Sequence, residues 1–395
     1  MSTFSIARRV QELPFAGIRR VFEKALQLES QGIKVVHFEI GRPDFDTPAH
    51  IKEAAKNALD RGHVHYTPNV GILPLRKALA ESIQETQKVS YDPESEVMIT
   101  AGGQEALFLS LMSLLEVGDE VLIPDPGYSQ YSSGVKLLGG APIAVPLLER
   151  ENSMIDLEVA EEKVSRNTRF LVVNSPHNPT GGVLTGGQLA ELCAFAQKHS
   201  LVILSDEAYD KILYEGREHI SPAALEGMRE RTVICGSLSK TYSMTGWRIG
   251  YIAAPRELIQ SAVKVQQNVM LSIVSFAQHG ALEAVSGSQS CVEEMVQEFN
   301  RRRETILGGL KEAPMLEVPV KPQGAFYVFV RFDVPGYDSL QMCDYLLEKA
   351  GVAVVPGTTF GEKGEHYFRI SFATSYEDCR EGVERIKEAM VRLQA

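Results

Sequence analysis

The sequence predicts an α/β fold in which helices cover both faces of a mainly parallel sheet. From residue 97 to 254, short apolar runs alternate with longer segments of helical periodicity. Polar turns rich in glycine or proline follow several of these runs. Because parallel strands are joined by helical crossovers and buried on both faces, this alternation is typical of such a sheet. Ligand-binding groups are then expected at the carboxyl ends of the strands.

The size and charge of the chain limit its function. Its 395 residues suggest two domains, and 44% hydrophobic with 23% charged residues is ordinary for a globular enzyme. A formal net charge of −11 disfavours nucleic acid or an anionic membrane as the main partner. No apolar run approaches the roughly 18 residues of a membrane helix, and residues 1–20 lack the apolar centre of a signal peptide. We expect a cytoplasmic enzyme.

Cysteine and histidine spacing gives no indication of a metal site. The five cysteines lie far apart without Cys-x-x-Cys spacing, which fits buried thiols in a reducing compartment better than disulfides or zinc. His63 and His65 have no further candidate ligands nearby. We therefore predict no metal.

The N-terminal part is predicted as an irregular arm followed by a helix, within residues 5–30. A short strand at Val35–Ile40 ends in the turn Gly41–Pro48, where glycine and two prolines leave backbone groups free for a ligand. A helix is expected at Ala49–Leu59. Tyr66 follows in a segment of turn residues and, on its own, fits a surface aromatic.

The strand series begins at Val97–Thr100, which leads into Gly103, Gln104 and a helix. A strand, a glycine turn and a helix start together aim unpaired N–H groups at an anion. A tight turn alone would also use these glycines, and a dinucleotide is disfavoured because Gly-x-Gly-x-x-Gly is absent. The next strand, Val121–Pro124, precedes Tyr128, whose ring could stack on a flat ligand or cover the core.

Two further strands are predicted at Pro142–Leu147 and Phe170–Asn174, with helices at Leu157–Val164 and Thr185–Lys198. Asn178 lies in the polar loop after the second strand. Its position before a proline fits an Asx turn as well as a ligand donor.

A buried strand at Leu201–Leu204 presents Asp206 at its carboxyl end, with Tyr209 three residues on. A carboxylate at that position needs a cationic partner or several donors, and a protonated pyridine nitrogen is such a partner. The alternative role for Asp206 is a helix N-cap.

Lys240 is expected on a small-residue loop between a strand at Thr232–Ile234 and another at Arg248–Ala254. A lysine in such a site can lose its proton and form a Schiff base with a carbonyl, while Ser237 and Arg248 can bind a phosphate. Pyridoxal phosphate (PLP) offers both groups. A solvated turn with an ordinary surface lysine would also fit the Ser-x-x-Lys spacing alone.

After Gly250 the pattern changes. Helices are predicted from Arg256 toward Ser286 and at Ser290–Leu310, followed by short strands near residues 316–318, 325–331 and 352–357, so a domain change is placed near residue 290. In the final strand, Tyr367, Arg369 and Ser371 alternate onto one face. An edge arginine is usually solvated.

Taken together, the motifs resemble those of class I/II aminotransferases, which are fold type I PLP enzymes. Ser-Leu-Ser-Lys followed eight residues on by Arg248 within Gly-Trp-Arg-Ile-Gly-Tyr is similar to the family's cofactor-lysine signature. Asn-Pro-Thr-Gly at 178–181, Phe-Arg-Ile-Ser-Phe-Ala at 368–373 and the Tyr66 segment are also similar, and the resemblance runs from about residue 14 to 375. Arg42 departs from the pattern, which usually has Glu there.

The resemblance implies a seven-stranded, mainly parallel sheet between helices, plus a smaller α+β domain. Residues 1–45 would form the N-terminal arm and part of the small domain, 46–290 the large PLP-binding domain and 291–395 the small C-terminal domain. It also implies a homodimer with shared active sites.

Residue roles follow from the same resemblance. Lys240 would hold PLP and move a proton, Asp206 would pair with the pyridine nitrogen, and Tyr209 would bond the ring oxygen. The further implied cofactor contacts are Gly103, Gln104, Tyr128, Asn178, Ser237, Arg248 and, from the partner, Tyr66. The implied substrate contacts are Gly41, Asn178 and Arg369.

The implied reaction moves the amino group of an L-amino acid to a 2-oxo acid such as 2-oxoglutarate. Aspartate-specific relatives in one branch carry a lysine where this chain has Gln104, and Phe15 and Ile18 could form an apolar pocket, so a neutral or aromatic amino acid is expected over aspartate. The same electron sink would serve a β-lyase or an amino-acid oxidase. A regulator or nucleotide-binding module on the PLP fold is the alternative outside catalysis.

Overall fold

The computed structural model describes residues 4–11, 13 and 17–394. The helices are α1 (Arg8–Gln11), α2 (Gly17–Ser30), α3 (Ala49–Asp60), α4 (Leu73–Gln87), α5 (Gly103–Leu114), α6 (Gln130–Leu137), α7 (Leu157–Lys163), α8 (Gly186–Lys198), α9 (Leu238–Thr241), α10 (Arg256–Val269), α11 (Ser275–Ser286), α12 (Ser290–Glu312), α13 (Ser339–Tyr345) and α14 (Tyr376–Gln394). Among these described helices, none is long and apolar enough to cross a membrane.

The strands fall into a large sheet, a smaller sheet and one isolated pair. They are β1 (Val36–His37), β2 (Val97–Thr100), β3 (Glu120–Asp125), β4 (Ala141–Leu148), β5 (Met154–Ile155), β6 (Thr168–Asn174), β7 (Val202–Asp206), β8 (Thr232–Ser237), β9 (Gly250–Ala253), β10 (Leu316–Glu317), β11 (Tyr327–Phe332), β12 (Val352–Ala353), β13 (Val355–Pro356) and β14 (Tyr367–Ser371).

The large sheet has the order β2-β9-β8-β7-β6-β3-β4-β5. Its central pairings are parallel, β9 runs antiparallel to both of its neighbours, and the two-residue β5 is an antiparallel edge. The predicted mainly parallel sheet between helices is confirmed. The seven longer strands fit the predicted number, and β5 is an eighth that is too short to give a sequence pattern.

Both faces of the central strands of the large sheet are buried, as the apolar runs predict, whereas β4 near the edge is mostly half-buried. Along β3, Val121 and Ile123 pack into one core with α5 and α10, while Leu122 packs into the opposite core with α8. This alternation explains why the strand has no polar face, since each side chain meets a helix layer.

The smaller sheet is antiparallel and has four strands in the order β10-β11-β14-β13. The short strand β1 does not join it but pairs in parallel with β12, Val36 opposite Val352. The N-terminal segment therefore contacts the C-terminal third of the chain. The proposed division at residues 45 and 290 remains a prediction.

Some predicted elements differ in the structure. The strand expected over Val35–Ile40 is only two residues long, and the run 352–357 splits into β12 and β13. Lys240 does not lie on a loop: it lies in the one-turn helix α9, where the hydroxyl of Ser237 accepts a hydrogen bond from the Ser239 N–H. The N-cap stabilises this helical turn and thereby holds the backbone of Lys240 in a defined position.

Candidate active site

A cavity of about 280 Å³ opens where the carboxyl ends of the large-sheet strands face the smaller sheet. It is lined by Ile18, Gly41, Gly103, Gln104, Leu107, Tyr128, Tyr131, Asn174, Asn178, Asp206, Ala208, Tyr209, Ser237, Ser239, Lys240, Thr245, Arg248, Tyr327 and Arg369. Residues from sequence positions 18 to 369 therefore meet at one place. Ligands are expected at this edge of an open α/β sheet.

Lys240 projects into the cavity from α9, and its Nζ donates a hydrogen bond to the backbone oxygen of Gly41 at 2.6 Å. The pKa of Lys240 is lowered to about 8, mainly by burial and further by the nearby charges of Arg369 and Arg248, while Asp206 acts in the opposite direction. At pH 7 about a tenth of the amine is then unprotonated, far more than for an ordinary lysine. The unprotonated amine can act as a nucleophile or a base.

Asp206 lies at the end of β7 and is buried. Its Oδ2 accepts a hydrogen bond from the Tyr131 hydroxyl at 2.6 Å, and its Oδ1 accepts one from the Ala208 N–H at 3.2 Å. Burial raises the pKa of the Asp206 carboxyl, and these two hydrogen bonds oppose the rise. A ligand cation at this carboxylate would relieve the cost of burial.

Tyr209 and Asn178 lie on the same wall of the cavity. The Tyr209 hydroxyl shares a 2.8 Å hydrogen bond with the hydroxyl of Tyr327, and burial raises the pKa of Tyr209 well above its usual value. The backbone N–H of Asn178 is held by the side-chain oxygen of Asn174 at 3.0 Å. Neutral hydroxyl and amide groups are thus fixed in place as hydrogen-bond donors.

The opposite end of the cavity is suited to an anion. Helix α5 begins at Gly103, after Gly102 with a φ of 86°, and these two glycines lie beside Ser237 and Arg248, where a side chain would be crowded. Arg248 has a φ of 56° and is held there by hydrogen bonds from Nη2 to Ala101 O at 3.0 Å and from Nη1 to Thr245 O at 3.2 Å. A phosphate would meet a helix N-terminus, a hydroxyl and a guanidinium.

Tyr128 is anchored beside this end. Its hydroxyl donates to Gln104 Oε1 at 3.2 Å, and its ring meets the ring of Tyr131 edge to face at 5.6 Å. Burial raises the pKa of Tyr128 to about 12, so the phenol stays neutral. The ring can offer a flat apolar surface to an aromatic ligand.

Arg369 in β14 is almost fully buried. Its Nη1 donates to Asn178 Oδ1 at 3.1 Å, its Nη2 donates to Glu39 O at 2.9 Å, and its Nε makes no hydrogen bond among the described residues. The guanidinium lies 4.3 Å from the Tyr327 ring centre and 4.9 Å from that of Phe360. No carboxylate of the described residues forms a salt bridge with this buried guanidinium, which makes it a site for an anionic ligand.

These features fit PLP, the cofactor expected from the sequence. The cavity offers an amine for the aldehyde, a carboxylate for the ring nitrogen, neutral donors for the ring oxygen and a helix N-terminus for the phosphate. Within the described residues there is no group of three or more His, Cys, Asp or Glu that could hold a metal ion.

The structure brings together around the cavity the site residues predicted to act within one chain. Tyr66, predicted to act in the partner's site, does not line the cavity of its own chain and is 84% exposed. Phe15 lies outside the described residues, whereas Ile18 lines the cavity. Sequence reasoning missed Tyr131 and Tyr327. Tyr131 comes three residues after Tyr128, and Tyr327 begins a buried strand. Neither position indicates which residue the hydroxyl will bond.

Comparisons with known proteins agree with this geometry. A family model described as aminotransferase class I and II matches residues 33–386. The aromatic-amino-acid aminotransferase 2 of Thermococcus litoralis is 40% identical over 98% of both chains, and an aspartate aminotransferase of Pyrococcus horikoshii is 42% identical over 98% of this chain and 97% of that one. The solved aspartate aminotransferase of Thermus thermophilus with maleate is 39% identical, covers 98% of this chain and 100% of its own, and superposes with a TM-score of 0.92.

Proposed function

The chain belongs to the class I and II aminotransferases, and from that premise we propose that its amino donor is a neutral or aromatic L-amino acid. It is an aminotransferase that uses pyridoxal 5′-phosphate and takes an amino acid and a 2-oxo acid as substrates. A 2-oxo acid such as 2-oxoglutarate is the proposed acceptor. The relatives' names span aromatic and aspartate substrates, so they do not choose between them.

The distribution of charge in the cavity carries the substrate proposal. Among the described lining residues, the basic side chains are Lys240, Arg248 and Arg369. We assign Lys240 to the cofactor aldehyde and Arg248 to the phosphate, which leaves Arg369 for the α-carboxylate. An aspartate side chain would then enter the cavity without a cation from this chain, at the cost of desolvating a charge, and the distal carboxylate of 2-oxoglutarate as acceptor would meet the same cost.

The surroundings of the proposed carboxylate site favour an apolar side chain. Ile18 lines the cavity and packs on the cluster of Phe329, Val355 and Phe360. Gln104, in the first turn of α5, is neutral and bonded to Tyr128. A phenyl or branched alkyl group in this region would bury apolar area at about 25 cal/mol per Å².

The cofactor, when bound, supplies an aldehyde that condenses with amines and a protonated pyridine ring that accepts the electron pair released at the substrate Cα. In the proposed mechanism, Asp206 would keep that ring protonated because its buried carboxylate favours a cation. Tyr131 holds the carboxylate in place. Tyr209 and Asn178 would donate hydrogen bonds to the ring oxygen.

Lys240 is proposed to carry the proton. Its pKa is lowered to about 8, so its amine could accept a proton from the substrate Cα and release it again without a large free-energy cost in either direction. Arg369 would bind the α-carboxylate in the fork geometry of a guanidinium, which would determine which face of Cα meets Lys240.

A second copy of the chain is proposed to complete the site. Tyr66 is 84% exposed, and Val269, Met270 and Leu271 are exposed by 61%, 40% and 42%. The segment around Tyr66 contacts the start of α11, which follows residues 269–271, because Ser275 donates to His63 O at 2.6 Å and Gln278 donates to Thr67 at 3.0 Å. Exposed apolar side chains of this kind are typical of an interface, and in the proposed homodimer Tyr66 would reach the partner's phosphate. We also propose a cytoplasmic location, which the free cysteines of the described chain support.

A half-reaction screen tests the substrate proposal. Purified holoenzyme is mixed with single amino acids without an oxo acid, and the change in cofactor absorbance is followed by stopped flow. We expect phenylalanine, tyrosine or leucine to react with at least tenfold higher efficiency than aspartate, a difference of about 1.4 kcal/mol. The proposal would be contradicted if aspartate reacted with higher efficiency than every neutral and aromatic amino acid.

A further inference from the structure

Glu39 is a buried residue that contacts Arg369 through its backbone, and, against the lowering effect of burial, the charge of its carboxylate favours the charged form of the Arg369 guanidinium and so raises the pKa of Arg369. The Glu39 side chain has no exposed surface, and its backbone oxygen accepts the 2.9 Å hydrogen bond from Arg369 Nη2. Its Oε1 bonds His37 Nδ1 at 2.8 Å, while Oε2 makes no hydrogen bond among the described residues. A buried carboxylate with one oxygen unpartnered is costly to maintain and needs a nearby positive charge.

His37 is the side chain that neutralises Glu39. Its Nε2 also lies 3.2 Å from Glu29 Oε1, so the imidazole links a surface carboxylate to a buried one. The hydrogen bond to Glu39, together with the charges of Glu39 and Glu29, raises the pKa of His37 to about 9 against the opposing effect of burial. Phe22 of α2 faces the ring at 6.3 Å.

The other charged groups near this strand are paired elsewhere. Helix α14 packs on β1, and its Glu381 binds Lys34 at 2.6 Å and also pairs with Arg385. Arg385 donates to the backbone oxygen of Lys34 at 3.0 Å. The residues of β12 opposite β1 are Val352 and Ala353, which carry no charge. Glu29 and Glu39 are therefore the groups that pair with the His37 proton.

We propose that the Glu39–His37 pair controls how strongly Arg369 attracts the substrate carboxylate, with both members acting as positioning residues. While His37 is protonated, it neutralises Glu39 and leaves the charge of Arg369 to the substrate. When His37 loses its proton, the Glu39 carboxylate offsets part of the Arg369 charge and substrate binding weakens. The inference rests on the proposed role of Arg369 as the α-carboxylate site.

The test measures binding of 3-phenylpropanoate to the holoenzyme by calorimetry from pH 7 to 10. This probe has one carboxylate and no amine, so its own charge is constant in that range. We expect the affinity of the unaltered enzyme to fall on the order of tenfold across a step near pH 9. This is the size of effect that the loss of one unit charge has on a carboxylate several ångströms away at an intermediate dielectric. The His37→Gln and Glu39→Gln variants should lack this step.

Two matched variants sharpen the test. Glu29→Gln removes only the outer partner, so the step should remain but move to lower pH, because His37 loses one carboxylate that favours its charged form. His199→Gln removes a histidine paired with Glu161 at 2.9 Å on the end of α8 and should leave the step unchanged. If His37→Gln or Glu39→Gln fails to fold, the Glu29→Gln shift still decides the question.

The outcomes separate this inference from the proposed function. An unchanged step in His37→Gln and Glu39→Gln, or an unmoved midpoint in Glu29→Gln, would overturn the role of the pair. Arg369→Gln is the reference, and it should lose most of the affinity at every pH. If Arg369→Gln binds the probe as well as the unaltered enzyme, the carboxylate site itself is wrong and the inference fails with it.

Discussion

At the residue scale, the charge state of Lys240 depends on three neighbours. Arg369 and Arg248 lower its pKa, and Asp206 raises it, on top of the larger effect of burial. The amine of the apoenzyme should therefore condense with pyridoxal at a rate that rises with pH up to about 8 and then levels off.

Substitutions of opposite charge type should move this profile in opposite directions. Arg369→Gln removes a cation and should shift the profile to higher pH, whereas Asp206→Asn removes an anion and should shift it to lower pH. The measurement is the initial rate of absorbance change with pyridoxal at each pH. Shifts in the same direction would mean that charge does not set the reactivity of Lys240.

The hydrogen bond from Tyr131 to Asp206 gives a second prediction. Tyr131→Phe leaves a buried carboxylate with one donor fewer, so we expect a loss of about 2 kcal/mol in stability and a weaker hold on the cofactor. Thermal unfolding and cofactor dissociation report the two effects. Tyr91→Phe is the matched control, because the buried Tyr91 hydroxyl makes no hydrogen bond among the described residues and its removal should be close to neutral.

Sequence reasoning identified the site residues that belong to short local motifs. Lys240, Asp206 and Arg369 each lie within an apolar run or shortly after one, so a polar residue stands out at a defined position relative to a predicted strand. Tyr131 and Tyr327 were missed because their partners, Asp206 and Tyr209, lie 75 and 118 residues away along the chain. Only packing of the folded chain brings such pairs together.

At the element scale, the turn before α5 depends on its neighbour β9. A Cβ at Gly250 would lie 2.5 Å from Gly102 C and 2.6 Å from Gly103 N, both of which are backbone atoms. Gly250→Ala should therefore displace the helix start and weaken cofactor binding by at least tenfold, with a stability loss of about 2 kcal/mol.

Gly187→Ala provides the control for this prediction. Gly187 lies in α8, and nothing lies within 4 Å of a Cβ added there. Alanine should be neutral or stabilising by up to about 1 kcal/mol, because it restricts the unfolded chain. Cofactor titration of both variants checks the pair. Equal affinity in Gly250→Ala and the unaltered enzyme would show that β9 does not position the turn.

Elements with long periodic patterns were predictable, and very short ones were not. Strand β2 has the predicted limits, and α3 differs from its prediction by one residue. Helix α9 has four residues and β5 has two, so neither can show a repeat. For α9, the deciding interaction is the N-cap at Ser237. From the sequence alone, a serine at this position is compatible with a loop as well as with a helical turn.

At the scale of the whole molecule, the proposed dimer predicts that one substitution far from Lys240 abolishes activity. Met270→Asp places a charge in the exposed surface formed by Val269, Met270 and Leu271, so it should give monomers and lower activity by at least a hundredfold as Tyr66 is withdrawn. Sedimentation velocity and steady-state rates measure the two effects.

The control for this surface lies at the other end of the chain. Val391 in α14 is 51% exposed, and Val391→Asp should leave both mass and rate unchanged. A fully active monomer of Met270→Asp would contradict the shared site.

The most direct test of the account locates the cofactor on the chain. Holoenzyme is reduced with borohydride, digested and analysed by tandem mass spectrometry. The geometry of the cavity, with its buried amine between Asp206, Arg248 and Arg369, predicts that the pyridoxyl group is attached to Lys240 and that Lys240→Ala carries none. A label on a different lysine, or a label retained in Lys240→Ala, would contradict it.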